Sequence, residues 1–349
     1  MQQSERIDSP HRRKNILTGE WVLVSPHRTQ RPWQGEISAP AIEERRPYEA
    51  DCYLCPGNKR ANGDTNPHYE GTYVFTNDYS ALRDGLPKMG KSGNDLLVAK
   101  TETGICRVVN YSPRHDLTLA ELKQSEIENV ITAWQSEYET LSSNPRINYV
   151  QIFENKGSIM GNSNSHPHGQ IWAQESIPME PLKELKQFGA YYTNKKRSLL
   201  ADYLKLELRL KERIVYKNGS FVALVPYWAV WPYETIIISK RKFASILQLK
   251  KTEKKDFADM LSVVTIKYDN LFKTSFPFSA GLHQAPTDGK NHNEWHFHMH
   301  FYPPLLRSAG VKKFMVGYEM LAEPQRDVAP EVTAKVLRES SGVHFNAVQ

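Results

Sequence analysis

Two stretches with one pattern constrain this chain most. His166-Pro-His-Gly-Gln-Ile-Trp172 and His296-Phe-His-Met-His-Phe-Tyr302 both read His-x-His-x-(Gln or His), followed by two bulky apolar residues. On an extended strand, alternate residues point to one face. His166, His168 and Gln170 are therefore expected to converge on one site, and His298 and His300 on another. An imidazole binds a metal or attacks an electrophile. A glutamine donates hydrogen bonds but has no acidic proton to give, so the first copy points to group transfer rather than hydrolysis.

Each copy ends a similar run of elements. In the first half, Trp21–Ser25 and Ile105–Tyr111 read as strands. Thr118-Leu-Ala-Glu121 has capping-box spacing and is expected to open a helix. The apolar positions of that helix are Leu122, Ile127, Val130, Ile131, Trp134, Tyr138 and Leu141. A strand at Tyr149–Glu154 and a loop rich in Gly, Ser and Asn precede the first motif. In the second half, strands are expected at Phe221–Val225 and Thr235–Ser239, a helix at 252–272, and strands at Phe278–His283 and Trp295–Tyr302. The pattern predicts an internal duplication: residues 1–180 and residues 181–349, joined by a polar helical segment over 180–214. The expected class is α+β, with antiparallel sheet and helices packed on one side.

Composition excludes several classes. With 349 residues the chain can bury one large core or two modest ones. Its net charge of +6 suits an anionic substrate such as a nucleotide, yet the basic residues are interspersed with Asp and Glu. No polybasic tract for nucleic acid is present. The longest apolar run, Phe221–Trp231, is broken by Pro226 and is too short for a bilayer. Met1–Asn15 lacks the apolar core of a signal peptide. Three cysteines argue against a secreted disulfide framework. A cytoplasmic enzyme with no membrane or nucleic-acid partner is expected.

Several constellations carry chemistry. Cys52-Tyr-Leu-Cys55 has the spacing of a thiolate pair on tetrahedral zinc, with His115 and His166 as candidate further ligands. A redox pair and two unrelated turn cysteines are the alternatives. His283, His298 and His300 with one carboxylate would form a second metal site suited to zinc or iron. His283 alone reads as structural, whereas paired imidazoles on an apolar strand need partners. His296 reads as an outer hydrogen-bond partner or merely polar rather than as a ligand. The loop Asn155–Asn164 has the glycine and short polar residues that let backbone N–H groups approach a phosphate, as ordinary surface loops also do. Arg28 and Arg31 are candidate phosphate clamps, with solvated surface arginines as the plainer reading.

These residues resemble the galactose-1-phosphate uridylyltransferase family, a branch of the histidine-triad superfamily whose third histidine is glutamine. The resemblance runs nearly end to end. It includes His11-Arg-Arg, Leu17-Thr-Gly-Glu-Trp21, Ser25-Pro-His-Arg28, Arg31-Pro-Trp-Gln-Gly35, Asp51-Cys-Tyr-Leu-Cys55 and Gly71-Thr-Tyr-Val-Phe-Thr-Asn-Asp78. It continues through Phe153-Glu-Asn-Lys-Gly157, the His166 motif, Phe301-Tyr-Pro-Pro-Leu-Leu-Arg307 and Lys313-Phe-Met-Val-Gly-Tyr-Glu319.

The resemblance implies a duplicated histidine-triad-like fold and a ping-pong reaction of galactose catabolism, the Leloir pathway. His168 attacks the α-phosphorus of UDP-glucose, glucose 1-phosphate leaves, and galactose 1-phosphate takes the uridylyl group to give UDP-galactose. Gln170 holds a non-bridging phosphate oxygen. Cys52, Cys55, His115 and His166 match the family's zinc ligands. Glu184, His283, His298 and His300 match a second set that takes iron or zinc. Arg28, Arg31, Asn77, Asp78, Asn155, Gly161, Asn162 and Ser163 match positions contacting uridine or phosphates. Lys313, Phe314, Val316, Tyr318, Glu319 and Gln325 match positions contacting the sugar. A homodimer is implied, each active site completed by the partner subunit. Asn162 departs from a cysteine common in relatives, His296 departs from a glutamine, and Glu184 lies in a divergent segment.

The nearest rival is a dinucleoside polyphosphate phosphorylase or hydrolase of the same superfamily, with phosphate or water as acceptor. The Lys313–Glu319 segment speaks against it. A zinc-dependent nucleotide sensor would not need the His168/Gln170 arrangement, and a purely structural metalloprotein would not need the loop before His166.

Overall fold

The structure is a computed structural model that describes residues 9–30, 45–90 and 94–348. Arg31 lies outside the described residues. In chain order the elements begin with β1 (His11–Lys14), β2 (Trp21–Val24), β3 (Tyr73–Thr76), β4 (Gly104–Asn110), α1 (Gln124–Ser142), β5 (Tyr149–Lys156) and β6 (His168–Gln174). Then come α2 (Met179–Lys195), α3 (Leu199–Leu210), β7 (Ile214–Lys217), β8 (Phe221–Leu224), β9 (Thr235–Ser239), α4 (Lys251–Phe272), β10 (Phe278–His283) and β11 (His298–Tyr302). The chain ends with α5 (Tyr318–Leu321), β12 (Gln325–Arg326) and α6 (Pro330–Glu339).

Nine strands form one antiparallel sheet in the order β3-β4-β6-β5-β10-β11-β9-β8-β7. Read outward from the central β5–β10 pair, both directions repeat the same sequence of elements. β5-β6-β4-β3 on one side mirrors β10-β11-β9-β8 on the other. Phe153 and Gly281 face each other across the centre. Gln170 pairs with Phe153, and His300 pairs with Gly281. The two motifs are thus related by an approximate two-fold at the β5–β10 junction, which is the geometry a duplication produces.

The sheet has two unlike faces. Along β5, Val150, Ile152, Glu154 and Lys156 are buried beneath α1 and α4, while Gln151, Phe153 and Asn155 take the other face. The helix-side core joins Val109, Ile131, Trp134, Ile152 and Ile171 of the first half to Phe257, Leu261, Phe278 and Phe301 of the second. On the opposite face, β2, α2 and α3 cover the second half through Leu17, Val24, Phe188, Leu204, Trp228, Ile238 and Trp295. Among the described residues, no helix is long and apolar enough to cross a membrane.

Three local expectations are corrected. β6 starts at His168, not His166, because Pro167 has no N–H for the ladder. The Pro167 carbonyl instead accepts from the Tyr111 N–H at 2.9 Å. α1 starts at Gln124, where the Glu126 carboxylate accepts the Lys123 N–H at 2.8 Å. Thr118–Leu122 closes a separate turn on the Thr118 carbonyl, and the Thr118 hydroxyl is buried without capping a helix. β11 begins at His298 rather than Trp295, since Phe297 N–H pairs with the Phe243 carbonyl at 2.8 Å outside the ladder.

Candidate active site

His168 opens β6 on the face away from α1 and α4, opposite Asn110 of β4. Its Nδ1 lies 2.8 Å from the main-chain carbonyl of His166. A carbonyl only accepts, so Nδ1 carries the proton and Nε2 presents its lone pair outward. Burial lowers the His168 pKa from its ordinary 6.5, which keeps the ring neutral. A neutral imidazole with a fixed tautomer is a competent nucleophile.

Gln170 lies two residues along the same face. The indole N–H of Trp172 donates to its Oε1 at 3.0 Å. Indole is a donor only, so this contact fixes the amide oxygen and leaves the NH2 group free to donate. Asn155 of β5 is held alike: Ser279 Oγ donates to its Oδ1 at 2.8 Å. A small polar pocket is lined by Asn155, Gly161, Asn162, Ser163, His168, Gly169 and Gln170. Gly161 has φ of 81°, left-handed backbone that glycine enters without strain, and it turns the loop back over His168. A side chain at Gly169 would put its Cβ 2.2 Å from Tyr111 Oη.

Beside this pocket Cys52, Cys55, His115 and His166 are all buried, with ligand atoms within 4.8 Å of one another. Cys55 Sγ lies 3.5 Å from Nδ1 of both His115 and His166. The far nitrogen of His166 faces the Ser112 carbonyl at 2.9 Å and Tyr69 Oη at 3.1 Å. Burial pushes the Cys55 thiol up to about 12, and burial followed by the neighbouring His115 takes His166 down to about 3. Two sulfurs and two neutral imidazoles facing one point are a donor set for a soft or borderline divalent cation.

The second half brings Glu184, His283, His298 and His300 within the same 4.8 Å limit. Glu184 reaches down from α2, its Oε1 2.9 Å from His283 Nδ1. Glu184 Oε2 and His298 Nε2 are 3.2 Å apart. Both atoms, like both ring nitrogens of His300, are nevertheless buried without a hydrogen-bond partner. Such orphaned groups, costly when left bare, fit a cation between them. Burial raises the Glu184 pKa, but His283 and His298 outweigh it and hold the carboxylate ionised. By the two-fold, His298, His300 and His283 stand where His168, Gln170 and Asn155 stand in the first half. His296 is excluded as a ligand by its bonds: Nδ1 meets Ser198 Oγ at 2.9 Å and Nε2 meets the Ser239 carbonyl at 2.7 Å.

The remaining candidates lie elsewhere. Asn77 follows β3, and the Arg60 guanidinium approaches Asp78 to 3.7 Å. Arg28 donates to Asp327 at 2.9 Å, and Gln325 donates to the same carboxylate oxygen at 2.7 Å. Lys313 is ion-paired with Glu319, while Phe314, Val316 and Tyr318 are exposed. This patch sits on the chain after β11 and beside β2; the His168 pocket is lined from β5, β6 and the loop between them. Sequence reasoning missed Tyr69, Ser112, Ser165 and Ser279, which hold ligands or pocket residues in place. Only Ser165, next to His166, carried any local signal.

Comparison with known proteins agrees with this geometry. Residues 1–178 match the family model for the N-terminal domain of galactose-1-phosphate uridyl transferase, and residues 184–349 match that of its C-terminal domain. The chain is 51% identical over 351 residues to the galactose-1-phosphate uridylyltransferase of Saccharomyces cerevisiae, covering 96% of both chains. It is 49% identical to that of Haemophilus influenzae, over 98% of this chain and 97% of the relative. A solved uridylyltransferase structure superposes with TM-score 0.74 at 25% identity, over 94% of this chain and 97% of that one. An ADP-glucose phosphorylase from Arabidopsis thaliana, with ADP-glucose bound, shares the fold with TM-score 0.75 at 24% identity, over 95% of this chain and 100% of that one. The chain belongs to the galactose-1-phosphate uridylyltransferase family.

Proposed function

We propose that this chain performs the uridylyl transfer of its family in two steps through Nε2 of His168. The family makes it a nucleotidyltransferase of galactose metabolism, exchanging uridylyl between UDP-glucose and galactose 1-phosphate. In the first step the Nε2 lone pair attacks the α-phosphorus. The bond to the bridging oxygen breaks, and glucose 1-phosphate departs with the electron pair. In the second step a phosphate oxygen of galactose 1-phosphate attacks the uridylyl phosphorus. The P–N bond breaks, and UDP-galactose leaves with the imidazole restored. The leaving group is already a stable anion and needs little acid help, so the Gln170 amide suffices where an acid would otherwise stand. Asn155, Gly161, Asn162 and Ser163 would bind the α-phosphate oxygens, and Asn77, Asp78, Arg28 and Arg31 the rest of the nucleotide.

Cys52, Cys55, His115 and His166 would hold zinc; Glu184, His283, His298 and His300 would hold iron or zinc. A bound zinc supplies rigidity rather than Lewis-acid contact, since it fixes the residue whose carbonyl orients His168. A homodimer in the cytoplasm would bring Lys313, Phe314, Val316, Tyr318, Glu319 and Gln325 of one subunit to the sugar phosphate bound by the other. The exposure of Phe314, Val316 and Tyr318 on the single chain supports this reading.

The observation that carries the proposal is the tautomer lock on His168 beside a phosphate-sized polar pocket. His168→Gly tests it. Transfer should fall on the order of 10⁶-fold, with fold and metal content kept. Transfer near the parent rate would remove His168 from the mechanism.

A further inference from the structure

The link between the Cys52–Cys55–His115–His166 cluster and the phosphate pocket is very short, and the Ser165 hydroxyl lies within it. His115 stands in the loop after β4. Its Nδ1 faces Cys55 Sγ at 3.5 Å, and its Nε2 meets Ser165 Oγ at 2.8 Å. A neutral imidazole has one donor and one acceptor nitrogen. A ring that offers Nδ1 to a cation must carry its proton on Nε2, so this N–H donates to Ser165. His166 is fixed in the same sense, but by the main-chain carbonyl of Ser112. One histidine is therefore oriented by rigid backbone, and the other by a hydroxyl on a loop.

That loop is the one that lines the pocket. Gly161, Asn162 and Ser163 immediately precede the link. Asn164 adds a second tie: its Oδ1 accepts the His166 N–H at 2.9 Å and lies 3.5 Å from Cys52 Sγ. The Asn164 N–H in turn donates to Asn162 Oδ1 at 3.1 Å. Residues 162–166 thus connect the pocket wall to three of the four cluster residues without a gap.

We propose that Ser165 is a positioning residue: it orients His115 toward the metal, and thereby couples occupancy of the cluster to the shape of the phosphate-binding loop. The inference rests on reading the cluster as a zinc site and the pocket as the α-phosphate site. Zinc in place clamps the loop at both Ser165 and Asn164. Loss of the hydroxyl lets the His115 ring turn and unties one end of the loop, so substrate binding suffers more than the chemical step.

The test uses the full chain with Ser165→Ala and Ser165→Thr. Ser165 is exposed, so neither change strains the core. Zinc affinity is measured by competition with a chromogenic chelator, and kcat and KM for UDP-glucose on the zinc-loaded proteins. The alanine variant should bind zinc roughly 10–100-fold more weakly and show a raised KM with kcat little changed; threonine, which keeps the hydroxyl, should restore both. Parent-like zinc affinity in the alanine variant overturns the orienting role. Weakened zinc binding with a parent-like KM overturns the coupling. Equal defects in both variants overturn the hydroxyl as cause. A parent that binds no zinc at this cluster overturns the underlying metal reading, and this inference with it.

Discussion

His168 owes its chemistry to a bond with its own chain. The His166 carbonyl accepts a hydrogen bond from Nδ1–H, and burial lowers the pKa below 6.5. In the proposed mechanism protonation would remove the attacking lone pair, so activity would be lost as pH falls through the folded pKa. The acid limb of kcat/KM for UDP-glucose should therefore lie below pH 6.5; a limb centred above that value would show that the ring is not held neutral. Gly169, between nucleophile and amide, is required for a separate reason. Gly169→Ala sets a Cβ against Tyr111 Oη at 2.2 Å and the Phe153 carbonyl at 3.0 Å. It should cost about 1–3 kcal/mol in urea unfolding and lower kcat. Adding Tyr111→Phe removes the nearest of the three crowding atoms and should recover part of that loss; no recovery would place the strain at the Phe153 carbonyl and the remaining ring. At this scale the placing of His168 and Gln170 on one face of β6 was legible in the sequence because it follows from their spacing. The partners that aim them were not: a Tyr or Ser becomes a positioning group only by where the fold delivers it.

Elements were legible where an apolar run, as in β9, or an apolar alternation, as in β10, is bounded by turns. β9 and β10 follow the sequence pattern to the residue. Starts were not legible where local hydrogen bonds compete. Glu126 captured the Lys123 N–H and delayed α1, and Pro167 delayed β6. Nor does sequence pattern reveal how distant elements are fastened. Glu331 of α6 bridges Arg13 of β1 at 2.8 Å and Arg213, just before β7, at 2.7 Å. Both arginines are buried. Burial works against the charge on Glu331, yet Arg13 and Arg213 hold its pKa down to about 2 from 4.5. A depressed carboxylate stabilises fully above its unfolded value and loses that contribution as pH falls through its folded one. Stability from this bridge should thus fade between pH 4.5 and about 2. Glu331→Gln takes the carboxylate from buried Arg13, while Arg213 keeps Glu207 at 2.9 Å, and should cost about 3 kcal/mol at pH 7. Parent-like urea midpoints at pH 7 would show that the bridge contributes nothing.

Across the whole molecule, the two repeated halves are built differently around equivalent positions. The two-fold places His298, His300 and His283 on the positions of His168, Gln170 and Asn155, but α2 lays Glu184 over the second set. One copy keeps an open pocket and the other is closed around a candidate metal. Elemental analysis should accordingly find about two metal ions per chain, and chelation should lower the melting temperature. A metal-free, fully stable protein would contradict both sites. The proposed partition of the active site between subunits makes another demand. Inactive His168→Gly and Lys313→Ala proteins, unfolded and refolded together, should regain activity in mixed dimers that carry one intact site. Mixtures as inactive as their parents would place both residues in one subunit's site. The repeated motif made the duplication legible, whereas Glu184 belongs to a helix whose sequence gives no sign of which way it faces.

The central claim is that uridylyl passes through His168. Stoichiometric UDP-glucose labelled in the α-phosphate, without acceptor, should leave an acid-labile label on the protein with release of glucose 1-phosphate. Galactose 1-phosphate should then discharge that label as UDP-galactose, and His168→Gly should take up none. Label retained by the glycine variant, or parent protein that never becomes labelled while transfer proceeds, would contradict the account.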